Sequence, residues 1–199
     1  MSDEIAVDSV EPLVTLHVGF LLMPEYTLST FSNAVGMLRM ANRLSGRELY
    51  RWSTYSLDGE PVVSSAGLEV KLNGGLQRAE EAKILLVCGG YNIKDYCTKQ
   101  LLDSLRNFAK NKTPLGGLCT GSYVLASAGL LDGYRCTIHW ENLASMREEF
   151  PKLQLSSSLF AIDRDRYTCS GGISSIDLML NLIASIHGHQ LVQQISEQF

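Results

Sequence analysis

The sequence lacks the features that would place the protein in or across a membrane. No Lys or Arg precedes Arg39, so the N-terminus has no basic region of the kind that a signal peptide carries. No apolar run approaches the ~18 residues that a membrane-spanning helix needs. We therefore expect a cytoplasmic protein with no membrane partner.

Cysteine is scarce, and its spacing fits neither a disulfide framework nor a zinc site. The chain has five cysteines, an odd number, and no C-x-x-C pair. We expect reduced thiols that are mostly buried, and we expect neither a metal nor a cofactor.

The composition fits one compact domain. A chain of 199 residues with 45% hydrophobic content is long enough for a single sizeable core. A net charge of −4 argues against this chain gripping a phosphate backbone by itself, because non-specific nucleic-acid affinity comes largely from clustered Lys and Arg. Any DNA contact is expected to need a part outside this chain.

Strands and helices alternate after an acidic arm at residues 1–12, which we predict to be flexible. The domain then runs from 13 to 199. Apolar periodicity predicts strands at 15–22, 51–57, 61–72 (as two short strands), 83–90, 114–118, 159–163 and 166–170, and helices at 29–44, around 101–108, at 121–129, at 141–150 and from 174 onward. This alternation implies right-handed crossovers and a mainly parallel sheet between helices.

The C-terminal region is predicted to be helical to its last residue. Ser174 and Asp177 have the spacing of a capping box, which marks a helix start. No glycine or proline stop signal follows the final apolar stripe. We expect this stripe to lie near a homodimer interface or to lead into a further domain. Its members are Leu191, Val192, Ile195 and Phe199.

Cys119 lies between a predicted buried strand and a predicted helix of small residues, within the stretch TPLGGLCTGSYVLASAGLLDG at 113–133. Ligands of open parallel sheets bind beyond the carboxyl ends of the strands. Gly116, Gly117 and Gly121 permit a sharp turn that resembles a nucleophile elbow. Helix N–H groups there favour a thiolate, so we predict a pKa below ~8.5 and faster alkylation than at the other cysteines.

A second glycine loop, Gly89-Gly90-Tyr91, leaves a neighbouring strand and is placed to aim further N–H groups at an oxyanion or a carboxylate. The same architecture therefore serves catalysis or anion binding. The structural alternative is that Cys119 only fills a tight turn, since free cysteine is among the most buried residue types. Its glycine flanks favour a role in a site.

His139 is the candidate base, and Trp140 beside it offers an aromatic wall. His139 and Glu141 have the spacing of the His-x-Glu pair in a Cys-His-Glu triad, because residues two apart on a strand face the same side. We favour the alternative, in which Glu141 enters the first turn of the next helix.

Three stretches resemble a known superfamily: LLVCGGYN, GGLCTGSYVLASAGLLDGYRCTIHWENLASMREEFP and YTCSGGISSIDLMLNLIASIHG. They are similar to the class I glutamine amidotransferase-like superfamily in its ThiJ/PfpI-like branch, and more narrowly to the N-terminal sensor domain of AraC-family transcriptional regulators. The resemblance implies a flavodoxin-like three-layer α/β sandwich, a cleft at the elbow cysteine and a dimer. It also implies an AraC-type helix-turn-helix domain that is absent from this chain.

Two departures from the family pattern bear on catalysis. Many enzymatic relatives hold an acid from the first helix against the elbow sulfur, whereas Glu25, the only acid between residues 24 and 46, precedes that helix. The protease-like relatives place histidine directly after the cysteine, where this chain has Thr120. The catalytic set is thus incomplete, with Cys119 and His139 as its candidates.

Two functions stay open. In the first, which we favour, a cleft binds a small effector without turnover and signals to DNA through the further domain. In the second, Cys119 attacks a carbonyl with His139 as base, as in a hydrolase, amidase or glyoxalase-like enzyme. Backbone N–H groups favour a carboxylate and the aromatic rings a cation, so an amino acid or betaine-like zwitterion fits the first function. The predicted ligand-binding residues are Gly90, Tyr91, Cys119, Thr120, His139 and Trp140.

Overall fold

A computed structural model describes residues 14–198. The arm predicted at residues 1–12 and Phe199 of the C-terminal stripe lie outside the described residues. Within the described range, no helix combines the length and the apolar character that crossing a bilayer requires.

Strands and helices alternate along the described chain. The strands are β1 (Leu16–Leu22), β2 (Tyr50–Ser56), β3 (Gly74–Gly75), β4 (Ile84–Cys88), β5 (Leu115–Leu118), β6 (Arg135–Cys136), β7 (Gln154–Leu155), β8 (Phe160–Asp163) and β9 (Arg166–Cys169). The α-helices are α1 (Leu28–Ser45), α2 (Lys99–Lys110), α3 (Gly121–Ser127), α4 (Leu143–Glu149), α5 (Ser174–His187) and α6 (His189–Ser196). Short 3-10 turns cover Leu76–Glu81, Ile93–Tyr96 and Trp140–Asn142.

Seven strands form one sheet in the order β3-β2-β1-β4-β5-β9-β8. Neighbouring strands are parallel except β8, which runs antiparallel to β9. β6 and β7 pair separately. The predicted mainly parallel α/β sandwich is confirmed.

The sheet separates two apolar cores, which explains the continuous apolar runs of the central strands. Phe20 and Leu86 face one core, which α1, α5 and α6 cover. Leu21 and Leu85 face the other, beneath α2, α3 and α4. A strand that is covered on both faces has no position for a solvated side chain, so β1 and β4 do not alternate between polar and apolar residues.

The segment between β2 and β3 is not the pair of strands predicted at 61–72. It contains one isolated bridge, between Val63 and Glu69, and most of its residues are exposed. The free edge of β2 pairs instead with Gly74–Gly75. β-Branched residues such as Val62, Val63 and Val70 do not by themselves form a strand, because a strand needs a neighbouring strand to pair with.

The predicted start of α5 is confirmed, but the predicted capping box at this start is wrong. The N-cap position is Ile173, which makes no side-chain cap hydrogen bond, and Ser174 is the first helical residue. The hydroxyl of Ser174 donates to the carbonyl of Gly171 at 2.7 Å. Asp177 lies in the first turn, as predicted, where its charge complements the helix dipole.

Two other helix boundaries differ from the prediction. The helix predicted at 141–150 begins at Leu143, because Trp140–Asn142 forms a 3-10 turn ahead of it. A break at Gly188, with φ +85°, separates α5 from α6. Glycine adopts such positive φ angles without the steric cost that a side chain adds.

The apolar stripe of α6 is covered within the chain itself. The helix packs against α1 and α5. Ile195 is fully buried, and Leu191 and Val192 are half-buried against the same core. We expected this stripe to be open and to lie near a homodimer interface. For these three residues that expectation is wrong, because the core of the same chain covers them. The homodimer itself stays a prediction.

We expect Ile195→Ala to lower the free energy of unfolding by about 2–5 kcal/mol, because it leaves a cavity between α6 and the two helices beneath it. Urea denaturation measures the change. Gln194→Ala, on the exposed side of α6, is the control and should change stability by less than about 0.5 kcal/mol. Equal stabilities of the two variants would show that α6 does not dock.

Candidate functional site

The turn between β5 and α3 holds Cys119 in a left-handed conformation, with φ +59°. Few residues with a Cβ adopt this region, and they persist there only when the surroundings enforce it. The enforcing contact lies beneath the turn, where a Cβ at position 121 would be 2.0 Å from the carbonyl oxygen of Val87. Only glycine fits at Gly121, so α3 starts directly on the sheet and the predicted sharp elbow is present.

Two groups close in on the sulfur of Cys119. The hydroxyl of Thr27, at the N-cap of α1, donates a hydrogen bond to Sγ at 3.5 Å. A Cβ at Gly171, whose φ is +96°, would lie 2.9 Å from Sγ. Cys119 is only 5% exposed as a result.

Burial raises the pKa of the Cys119 thiol. Hydrogen bonds from the Thr27 hydroxyl and from the backbone of Thr120 act in the opposite direction, while the charge of Glu141 adds to the rise. Desolvation outweighs the N–H groups of α3, a helix of seven residues. The predicted lowering of this pKa is therefore wrong, and the thiol is protonated at neutral pH.

All six residues that we predicted to bind a ligand line one cavity of about 660 Å³. They are Gly90, Tyr91, Cys119, Thr120, His139 and Trp140. Tyr91 and Trp140 are 67% and 69% exposed at its mouth, whereas Cys119 lies at its base. The volume is that of an ordinary small-molecule site.

The glycine loop after β4 is fixed from two sides. The buried hydroxyl of Thr120 donates to the carbonyl of Gly90 at 2.7 Å. The backbone N–H of Thr27 donates to the carbonyl of Gly89 at 3.0 Å. Thr120 therefore fixes the cavity wall. Its hydroxyl proton is committed to Gly90 and is not available for a hydrogen bond to a ligand.

His139 lines the cavity without forming a catalytic pair. Its Nδ1 lies 3.7 Å from a carboxylate oxygen of Glu141. No hydrogen bond joins His139 to Cys119 within residues 14–198. Glu141 lies in the 3-10 turn that precedes α4, in agreement with the interpretation that we favoured over a triad.

The carboxylate of Glu25, the acid nearest to α1 in sequence, is held by residues other than Cys119. Its carboxylate accepts hydrogen bonds from Asn92 at 2.9 Å and from the hydroxyl of Tyr96 at 3.4 Å. The residue itself has φ +58°, and Asn92 opposite has φ +51°. Thr27 thus takes the position beside the thiol where the resemblance to enzymatic relatives would lead one to expect an acid.

Gly172, on the far side of the cavity, is tied to α1. Its N–H donates to the hydroxyl oxygen of Thr30 at 2.7 Å, and its carbonyl accepts from the side-chain amide of Asn33 at 3.2 Å. The loop before α5 is thereby fixed against the first turns of α1. Both helices begin at the cavity wall.

The charges along the cavity are predominantly acidic. Lys94 is paired with Glu149, which also accepts a hydrogen bond from Tyr123 at 2.6 Å. Asp95 and Glu141 also line the cavity. With the Lys94 charge balanced, the lining favours the cationic part of a ligand. Within the described range, no three His, Cys, Asp or Glu side chains are arranged to hold a metal ion.

A family model described as the DJ-1/PfpI family matches residues 20–185. The chain belongs to the DJ-1/PfpI family. The match runs from the end of β1 through most of α5 and includes the elbow, the glycine loop after β4 and the Gly171-Gly172 loop.

Transcriptional regulators are among the similar proteins. The HTH-type transcriptional regulator GbdR of Pseudomonas aeruginosa is 49% identical over 182 residues, which are 92% of this chain and 50% of GbdR. CdhR of the same species is 46% identical over 180 residues, 90% of this chain and 53% of CdhR. A solved AraC family transcriptional regulator from Pseudomonas putida has a TM-score of 0.82 at 31% identity, covering 92% of this chain and 98% of that chain.

These similarities confirm the resemblance found in the sequence, both to the ThiJ/PfpI-like branch and to AraC-type regulators. They also confirm the flavodoxin-like fold. The chain spans about half the length of the two curated regulators that it matches.

Sequence reasoning missed several residues of the site. Thr27, Ser65, Asn92 and Gly172 line the cavity as well. Thr27 and Asn92 follow the carboxyl ends of β1 and β4, so the rule that located Cys119 would also have located them. The chain gives no comparable signal for Ser65, which lies in the segment between β2 and β3.

We expect Thr27→Val to raise the pKa of Cys119 further, because the variant removes a hydrogen bond that favours the thiolate. Iodoacetamide labelling across pH, followed by peptide mass spectrometry, measures this pKa. In the parent protein the labelling midpoint should lie above the ~8.5 of a free thiol, since only the thiolate reacts.

Thr27→Ser is the matched control, because it keeps the hydroxyl, and its midpoint should stay near that of the parent. A midpoint below 8.5 in the parent protein, or identical midpoints for the valine and parent proteins, would contradict this account of the thiol.

Proposed function

We propose that this chain is the effector-sensing domain of an AraC-type transcriptional regulator. Its cavity binds a small metabolite without turnover, and a helix-turn-helix domain after α6 contacts DNA. The whole protein is cytoplasmic and acts as a homodimer. The observation that carries the proposal is a small-molecule cavity whose buried thiol accepts a hydrogen bond from Thr27 and, among residues 14–198, is hydrogen-bonded to no histidine or carboxylate.

The chemistry at Cys119 supports binding over catalysis. Nucleophilic attack needs a thiolate and a group that accepts the proton. Burial favours the neutral thiol here, and Thr27 donates to the sulfur. His139 is oriented toward Glu141. GbdR and CdhR, of whose length this chain covers about half, are named as transcriptional regulators.

We infer an amino acid or a betaine-like zwitterion as the effector class. Trp140 and Tyr91 offer exposed rings at the mouth of the cavity, and such rings attract ammonium groups by cation–π contact. Glu141 lies directly beside Trp140 and adds a negative charge. A carboxylate on the same ligand would face His139, which offers a ring N–H.

A cysteine-dependent enzyme is the second candidate, and the left-handed elbow at Cys119 is the observation that favours it. Such strain is common at catalytic residues. The two candidates differ in what happens to the bound molecule, so the binding experiment below is followed by chemical analysis of the ligand.

We expect an amino acid, a betaine or a small carboxylate to raise the thermal stability of the protein without being converted. A ligand at one hundred times its Kd adds about 2.7 kcal/mol to the folded state, which differential scanning fluorimetry detects. Cys119→Ser should leave this shift largely intact. Mass spectrometry after long incubation tests for turnover, and a conversion that Cys119→Ser abolishes would favour the enzyme.

We expect Trp140→Leu to weaken binding of an ammonium ligand by about 2- to 30-fold, since a cation–π contact contributes about 0.5–2 kcal/mol. The chain has two tryptophans, so the matched control is Trp52→Phe in β2. This control should keep the parent affinity, and its remaining Trp140 fluorescence should report binding directly. Parent affinity in Trp140→Leu would remove Trp140 from the site.

A further inference from the structure

α1 carries only two charged side chains, and both are arginines. Arg39 and Arg43 lie one turn apart and are exposed, and no Asp or Glu occurs within Leu28–Ser45. Arg47, also exposed, comes two residues after the end of the helix, beyond the C-cap glycine Gly46. We call Arg39, Arg43 and Arg47 the basic row. Its positive charge contrasts with the chain as a whole, which has a net charge of −4.

These three arginines have no carboxylate partner within residues 14–198. In the described range, four other arginines form ion pairs (Arg51, Arg106, Arg164 and Arg166), while Arg78, Arg135 and Arg147 are also unpaired but are separated in sequence. Glu48 is the only acid from Arg39 to Glu48, and it too forms no ion pair in the described range. The row is therefore open to a partner outside the domain.

The helix dipole accounts for only part of this row. A cation in the last helical turn stabilises the C-terminus, and Arg43 occupies that turn. The effect falls off within one turn. Arg39 precedes the last turn and Arg47 lies beyond the helix, so their placement needs another explanation.

A cleft of about 280 Å³ beside Arg47 extends this surface between the end of α1 and α6. Its lining consists of Ser45, Arg47, Leu49, His187, Gln190, Leu191 and Gln194. The polar groups are a guanidinium, a hydroxyl, an imidazole and two amides, without a carboxylate. Nε2 of His187 is buried and has no hydrogen-bond partner in the described range. The hydroxyl of Ser45 already donates to the backbone carbonyls of Asn42 and Arg47, so the donors that remain for an oxyanion are the guanidinium of Arg47 and the two side-chain amides.

We propose that Arg39, Arg43, Arg47 and this cleft form a surface that contacts the phosphate backbone of DNA. The inference rests on the proposed function, because the domain that follows α6 would bring the DNA to this surface. Gln190 and Gln194 of α6 line the cleft, so the surface lies beside the helix from which that domain would continue.

The dimensions and the charge of the surface fit this role. Four helical residues rise by about 6 Å, so Arg39 and Arg43 follow one another along the axis of α1. The row therefore lies lengthwise against the phosphates of a DNA strand or groove. Contacts of arginine to phosphate orient a protein on a duplex without reading its sequence. Because the domain has a net negative charge, DNA repels most of its surface. The basic row therefore determines which face of the domain approaches the DNA.

The experiment compares two charge-matched variants of the protein expressed from its complete reading frame. The first combines Arg39→Gln, Arg43→Gln and Arg47→Gln. The control combines Lys110→Gln, Arg147→Gln and Lys152→Gln, which are exposed cations near α2 and α4, on the opposite layer of the sandwich. Fluorescence anisotropy with a short random-sequence DNA duplex gives the affinity at several salt concentrations, and thermal melts verify that each variant is folded.

We expect the first variant to bind more weakly and to lose about 1 from the slope of log K against log salt for each arginine removed, while the control keeps the parent slope. Equal slopes for the two variants would overturn the inference, and so would a change of oligomeric state without a change of slope. A parent protein that binds no DNA at all would overturn the proposed function and, with it, this surface.

Discussion

The contact between the carboxyl end of β4 and the first residue of α3 is the constraint on which the site depends. The carbonyl of Val87 leaves room only for a hydrogen at Gly121. α3 therefore starts close against the sheet, and Cys119 must turn through a left-handed conformation to reach it. The same closeness removes water from the sulfur and raises its pKa. A turn of this shape can expose a nucleophile, but in this protein it buries a thiol that stays neutral.

The partner of the sulfur then determines what this elbow can do. An ionised carboxylate at this position could only accept a hydrogen bond from the thiol. The hydroxyl of Thr27, by contrast, donates a hydrogen bond to the sulfur. Glu25 is close in sequence, but its carboxylate is occupied by Asn92 and Tyr96. In the part of the chain that the structure describes, the fold of the DJ-1/PfpI family thus forms a cavity in which no carboxylate or imidazole is hydrogen-bonded to the thiol.

The sequence predicted what depends on local pattern and on strand ends. The buried strands β1, β4 and β5 were recognisable because parallel strands covered on both faces are continuously apolar. Cys119 and Trp140 were placed in the site because loops at one edge of a parallel sheet converge. The Thr27 contact was not foreseen, since it joins residues 92 positions apart. The pKa of Cys119 depends on packing density, which no motif encodes.

α1 links two distant parts of the domain. It starts at the cavity, where Thr27 contacts the thiol and Thr30 holds Gly172, and it ends beside the cleft that contains Arg47. Its 18 residues span about 27 Å, most of the width of a small domain. The helix has no proline and no break, so it is a stiff connection between the two ends. Any tilt of α1 at the cavity would therefore displace its other end, by an amount set by the length of the helix.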